Sequence, residues 1–333
     1  MRRFKNILLV CDEGSINEAV IDRAARLAKA NEARLTLVDF IEAAPGELAR
    51  MFAALPGVRA HDVEHEVLAF HRARLATLAE RVRAQDVDTR EHLVQGIGFV
   101  EVIRKVLRDR HDLVIKGAGG RDEGQSLFFA SNDLHLLRKC PCPVWIMKKA
   151  EPRPFRRILA AVDPQPDDPQ RTALNKLTIQ LATSLATDNE GEVYVVHAWK
   201  LEEEMTIRGS PFLRVAEKQI DALLNEQRRQ RGWALNQLLS ECPATEAKRK
   251  VYLIKGAARE VVPDFAKRHD VELIVMGTVG RTGVSGLFIG NTAEAILNQV
   301  ECSVLAVKPP GFKTPVALES SAQTGAKPGE HAA

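Results

Sequence analysis

The residues best placed to do chemistry in this chain lie near its end. Gly277-Thr278-Val279-Gly280 is followed, after nine residues, by Gly290-Asn291-Thr292. The first glycine ends the apolar run Leu273–Met276, and the last opens a predicted helix. Glycine has no Cβ, so backbone N–H groups can approach a ligand closely there. A helix N-terminus behind them offers orphan donors and a positive dipole end, which suits phosphate. Arg281, Thr282 and Ser285 add donors between the glycines. Asp163 closes another apolar run, so a carboxylate stands at the same edge if both runs are strands of one parallel sheet. On spacing alone, the glycines could equally serve a tight strand-to-helix turn.

Other candidates carry less. His61 and His65, at i and i+4 with Asp62 and Glu64 nearby, have a spacing that could hold a metal, but no third ligand accompanies them. A solvated helix face is the ordinary reading, and no metal is assigned. Cys140-Pro141-Cys142 is the one close pair among five cysteines. No second Cys/His pair sits at ligand spacing, so Cys142 reads as a buried strand-start residue. His197 ends an apolar run at the edge of the site and reads as packing. Gly96-Ile97-Gly98 is too short for a dinucleotide fingerprint. No Walker loop, nucleophile elbow or HExxH helix occurs, so no base, nucleophile or metal cluster is in evidence and the expected function is nonenzymatic.

The elements that must position these residues come twice. Gly117 and Gly120 match Gly277 and Gly280 at an offset of 160, and Cys142–Lys148 falls on Cys302–Lys308 at the same offset. Lys5–Asp12 matches Arg156–Asp163, and Ala33–Phe40 lies over Gly191–Ala198. The chain is therefore a duplication: domain 1 over residues 1–149, domain 2 over 155–309, joined by the charged, proline-bearing Lys148–Pro154. Short apolar runs such as Ile7–Cys11, Leu35–Val38, Leu113–Ile115 and Val304–Val307 suit strands buried on both faces. Between them, Leu174, Leu177, Thr178, Leu181 and Leu185 recur at helical spacing, as do Val67, Phe70, Leu75, Leu78 and Val82. The alternation predicts an α/β fold with five parallel strands and about four helices per half. The halves should form two separate sheets that meet through their last strands, Val144–Met147 and Val304–Val307. Uncovered apolar edges invite such pairing, and further self-association too. Residues 310–333 lack periodicity and read as a disordered tail.

Composition bounds the function class. With 45% hydrophobic, 27% charged and 5% aromatic residues, the chain suits helices on a sheet better than an all-β sandwich. Residues 1–150 carry 24 Lys+Arg against 21 Asp+Glu, and the remainder 23 against 23. Neither half has the field of a general nucleic-acid binder. Arg228-Arg229-Gln230-Arg231 and Lys248-Arg249-Lys250 read as solvated helix and strand-edge charges. Asp12 and Glu13 cut short the first apolar run, and none approaches a bilayer span, so no membrane association is expected. An odd cysteine count without scaffold spacing fits a reducing, cytoplasmic setting.

The G-x-x-G, nine residues, G pattern, with Asp ending the first strand, resembles the nucleotide motif of the universal stress protein family, in its tandem two-domain form. The resemblance runs twice along the chain, apart from linker and tail. It implies two Rossmann-like domains, each a five-stranded parallel sheet of order 3-2-1-4-5 with helices on both faces, packed as an intramolecular pseudo-dimer. In the family's ATP-binding members the first-strand Asp and a residue ending the second strand meet adenosine, while the glycines and a following Ser/Thr hold phosphates. Carried across, the implied site is Asp163, Ala198, Gly277, Gly280, Gly290, Asn291 and Thr292. Asn291 departs from the Ser/Thr pattern and, as a strong N-cap residue, could spend its oxygen on the helix amides. In the first half Ala130 replaces Gly290, and Asp122-Glu123 would repel phosphate, so that site reads as degenerate. The implied function is stress regulation, including survival of DNA damage, with no cofactor required beyond ATP or another adenine nucleotide as bound ligand. A more apolar ligand, favoured by Leu287-Phe288-Ile289, and a slow ATPase are the rival readings.

Overall fold

The fold was analysed in a computed structural model that describes residues 3–12, 15–41, 60–119, 131–148, 154–187, 190–209, 215–243, 247–278 and 289–318. Its strands are β1 (Asn6–Val10), β2 (Arg34–Ile41), β3 (Thr89–Gln95), β4 (Leu113–Gly117) and β5 (Val144–Met147) in the first half. The second half contributes β6 (Arg157–Ala161), β7 (Glu192–Trp199), β8 (Lys248–Lys255), β9 (Leu273–Gly277) and β10 (Ser303–Val307). The helices described are α1 (Glu18–Asn31), α2 (Ala60–Arg83), α3 (Gly98–Asp109) and α4 (Ser131–Lys139), then α5 (Pro169–Thr187), α6 (Glu204–Gly209), α7 (Glu217–Ser240), α8 (Ala258–Arg268) and α9 (Asn291–Leu297).

Each half has the strand order 3-2-1-4-5, all parallel. The halves do not, however, stay as two separate sheets. β5 and β10 pair antiparallel, with Leu305 opposite Trp145, and fuse them into one ten-stranded sheet, β3-β2-β1-β4-β5-β10-β9-β6-β7-β8. The physical reason is the edge itself. β5 and β10 are wholly buried strands, apolar but for Ser303, whose outer hydrogen-bonding groups would otherwise face solvent, and each satisfies the other.

Alternating residues of each strand face opposite sides, and helices cover both. Ile7 and Leu9 of β1 belong to the layer covered by α1, α2, α5 and α7, which contribute residues such as Val20, Leu75, Ile179 and Leu235. Leu8 and Val10 face the other layer with α3, α4, α8 and α9, through Ile103, Leu137, Phe265 and Ile296. Phe70, one of the predicted apolar positions on α2, is 58% exposed and takes no part in the core. Residues 310–318, within the stretch read as a tail, run in irregular structure against the protein. Val316 packs on the second core layer and Arg104 Nε donates to the Ala317 carbonyl at 3.3 Å. No helix among the described residues is long and apolar enough to cross a membrane.

Candidate functional site

At the carboxyl ends of β6, β7, β8 and β9 the second half opens a cleft of about 630 Å³. Asp163, Ala198, Gly277, Gly290, Asn291 and Thr292 all line it. Gly280, with Arg281, Thr282 and Ser285, lies outside the described residues. The cleft sits where strand order reverses, because the chain enters β6 in the middle of its half-sheet and leaves to β7 on one side and β9 on the other.

Asp163 is held by its own backbone. Its N–H donates to Asn175 Oδ1 at 3.0 Å, and Asn175 Nδ2 returns a bond to the Asp163 carbonyl at 2.9 Å. The carboxylate accepts from Arg171 Nη1 at 3.3 Å and from Gln165 Nε2 at 3.4 Å. Both Asn175 and Arg171 ride on α5. That helix starts cleanly because Pro169 takes its first position and Asp168 Oδ1 accepts from the Gln170 and Arg171 amides. Gly277 ends β9 against the same helix. A Cβ there would stand 2.7 Å from Leu174 Cδ2, so a larger residue would have to push that side chain of α5 aside. The Gly290 amide donates to the Thr278 carbonyl at 3.0 Å, which brings the two ends of the loop together.

Gly290, not Asn291, is the N-cap of α9 (φ −63°, ψ 141°), and no side chain caps the helix. The expected competition for the Asn291 oxygen is therefore not seen. Asn291 is the first helical residue and is exposed on the cleft wall beside Thr292. Ala198 is half-buried at the end of β7. His197, next to it, is buried, with Nδ1 donating to the Val162 carbonyl at 3.1 Å, as packing rather than chemistry requires. Among the described residues no group of three or more His, Cys, Asp and Glu could hold a metal ion, and His65 is exposed.

Sequence reasoning missed several lining residues. Asn175 and Arg171 carry no motif. Gly256, which lines the cleft, turns β8 toward α8 at φ +147°, as Gly96 turns β3 toward α3 at φ +134°. Arg231, read as a solvated charge, is half-buried and lines the cleft, whereas Arg228 and Arg229 are exposed as expected.

The first half fills the corresponding place with its own side chains. Position for position, β4 carries Lys116 where β9 has Met276, and α4 carries Asp133 where α9 has Ala293. Lys116 Nζ lies 3.0 Å from Asp12 Oδ2 and 2.9 Å from Asp133 Oδ1, with Lys116 and Asp133 both buried. Burial lowers the ammonium's pKa, but Asp133 and Asp12 more than offset this and hold it above the usual lysine value. Burial also pushes the Asp12 carboxyl up, against the pull of Lys116. Nearby, Phe40 replaces Ala198, and its ring lies against Gly98, where a Cβ would be 2.5 Å from Cε2; the second half has Ala258 there. The expected grounds for a degenerate first site, Ala130 and Asp122-Glu123, fall outside the described residues.

Comparison with known proteins follows the duplication. The model of the Universal stress protein family matches residues 3–148 and again 154–308. Universal stress protein E of Escherichia coli strain K12 is 33% identical over 222 residues, 66% of this chain and 68% of that protein. The universal stress protein E homolog of Haemophilus influenzae is 27% identical over 314 residues, 92% of this chain and 98% of the homolog. Among solved structures, a functionally unknown protein from Pseudomonas aeruginosa PAO1 shares the fold, with a TM-score of 0.69 and 23% identity across 92% of this chain and 94% of its own. A universal stress protein from Archaeoglobus fulgidus does so with a TM-score of 0.60 and 16% identity, covering 93% and 98%. With the family model matching both halves of a doubly wound fold, the chain belongs to the universal stress protein family.

Proposed function

We propose that the cleft of the second half is a reversible binding site for an adenine nucleotide, and that the chain is a nonenzymatic, cytoplasmic regulator in the response to stress such as DNA damage. The observation that carries this is convergence. Six motif residues from four separate stretches of sequence, around 163, 198, 277 and 290–292, line one cleft at the switch point of a parallel sheet. Asp163 would take ribose hydroxyls, and Gly277, Gly290 and Asn291 would face phosphate. Ala198, which lines the cleft together with Val262 and Met276, would leave room for the base.

A second reading has its own support. Much of the lining is aliphatic, with Val162, Leu174, Val196, Val262, Ile289 and Ile296 all present. That floor would also suit an apolar ligand. The two readings separate on purified full-length protein, denatured and analysed by mass spectrometry for released small molecules. The nucleotide reading expects an adenine nucleotide. A fatty or isoprenoid compound recovered instead would overturn it in favour of the second.

A further inference from the structure

Two helices of equal length, α2 and α7, stand at the same place in the two halves, and their fifteenth residues are Arg74 and Arg231. Likewise the sixth residues of the eight-residue strands β2 and β7 are Asp39 and His197. In the first half the pair is closed. Arg74 Nη2 donates to Asp39 Oδ2 at 2.6 Å and to the Cys11 carbonyl at 2.7 Å, and His71 Nδ1 lies 2.7 Å from the same carboxylate. In the second half the arginine is kept and its carboxylate is gone. His197 cannot replace that negative charge, since an imidazole is neutral or positive and its Nδ1 is already committed to the Val162 carbonyl.

Arg231 is half-buried, lines the cleft and pairs with no carboxylate among the described residues. The other cations of the wall are differently placed. Lys200 pairs with Glu202 at 2.8 Å, Arg259 with Glu260 at 3.3 Å, and Arg171 with Asp163 and Asp168. A guanidinium drawn partly out of water and left without a counter-ion is unfavourable alone and favourable once an anion arrives.

We infer that Arg231 is a second anion subsite, and that the cleft takes a ligand with two anionic groups, one beside Gly277 and Gly290 and one at Arg231. The internal counter-ion that the first half supplies from Asp39 comes, in the second half, from the ligand. The spacing is set by the sheet. α7 packs against β7, and β6 separates β7 from β9, which ends in Gly277, so an anion held at the place of His197 would lie about two strand spacings from one at Gly277, ~10 Å. A nucleoside with phosphates on both its 5′ and 3′ oxygens has this chemistry. The inference rests on the nucleotide reading for its first anion but not for its second.

Calorimetry on the full chain tests it, with AMP and adenosine 3′,5′-bisphosphate as one pair of probes and fructose 6-phosphate and fructose 1,6-bisphosphate as another. The bisphosphate should bind wild-type protein at least tenfold more tightly than its monophosphate partner. Arg231→Gln should bring that ratio close to one. His197→Asp should do the same by restoring the internal counter-ion of the first half; an unchanged thermal midpoint in that variant shows that the effect is not unfolding. If only the sugar bisphosphate shows the preference and neither nucleotide binds, the nucleotide reading fails and the second subsite stands. If no bisphosphate is preferred, or if Arg231→Gln leaves the ratio unchanged, the inference is overturned.

Discussion

Lys116 illustrates how single residues make the two halves differ at the same place in the fold. Its ammonium is 2% exposed between Asp12 and Asp133, in the place where the second half has the thioether of Met276 and the methyl of Ala293. Three charges in so dry a place stabilise the fold only while all are present. Lys116→Met is expected to destabilise the protein by about 3–5 kcal/mol, because the buried Asp133 and the half-buried Asp12 lose their shared cation. Adding Asp133→Ala to it, which recreates the residues of the second half, should recover part of that loss. Urea unfolding of the two variants checks this; a milder single variant, or a double variant worse than the single, would contradict the account. Much of the site was legible at this scale. Asp163, Gly277 and Gly290 announced themselves by ending or opening elements. Arg231 did not, since a charge inside a basic run looks solvated until the helix bearing it is laid over its twin. Asn175 and Arg171 were invisible because their role arises from α5 folding over β6, a contact no local spacing encodes.

At the scale of elements, the junction of β5 and β10 sets two lysines in mirrored positions. Lys148, just after β5, donates to the Val300 carbonyl beyond α9 at 2.8 Å. Lys308, just after β10, donates to the Leu137 carbonyl of α4 at 2.7 Å and to Thr278 Oγ1 at 2.5 Å. Each half thus ties down a helix end of the other, and cations suit helix C-termini. Burial pushes both lysines down to about 8, from 10.5. Between those pH values the unfolded chain binds more protons than the folded one, so this contribution to stability rises with pH across the window and is lost as pH falls through 8. Comparing wild type with Lys148→Met/Lys308→Met removes the effects of other titrating groups. From pH 7.5 to 10 the stability difference should move in favour of wild type by at least ~2 kcal/mol, a discounted sum of two lysines. A difference independent of pH would mean that the lysines are not held as described. The sequence showed both strands and their edges plainly through apolar runs and matched ends. It did not show that the edges would join into one sheet, because register across a pseudo-twofold axis depends on packing of the whole.

For the whole molecule, the duplication gives two copies of one fold and leaves one of them open. At this place the first half carries Lys116, Phe40 and the Arg74–Asp39 pair; the second has glycine, alanine and an arginine that pairs with no carboxylate among the described residues. The β5–β10 pairing joins the two halves, and Thr278, just after β9, is bonded to Lys308 and through it to α4. The proposed reading therefore expects a single ligand per chain. Calorimetric titration of the full-length protein with ATP tests this most directly, in wild type and in Gly290→Val. Gly290 has φ −63°, which valine tolerates, so the fold should survive while the branched side chain covers the backbone facing the cleft. The account predicts one ATP bound per wild-type chain and at least a tenfold loss of affinity in the variant. Two ATP per chain, or wild-type affinity in Gly290→Val, would contradict it.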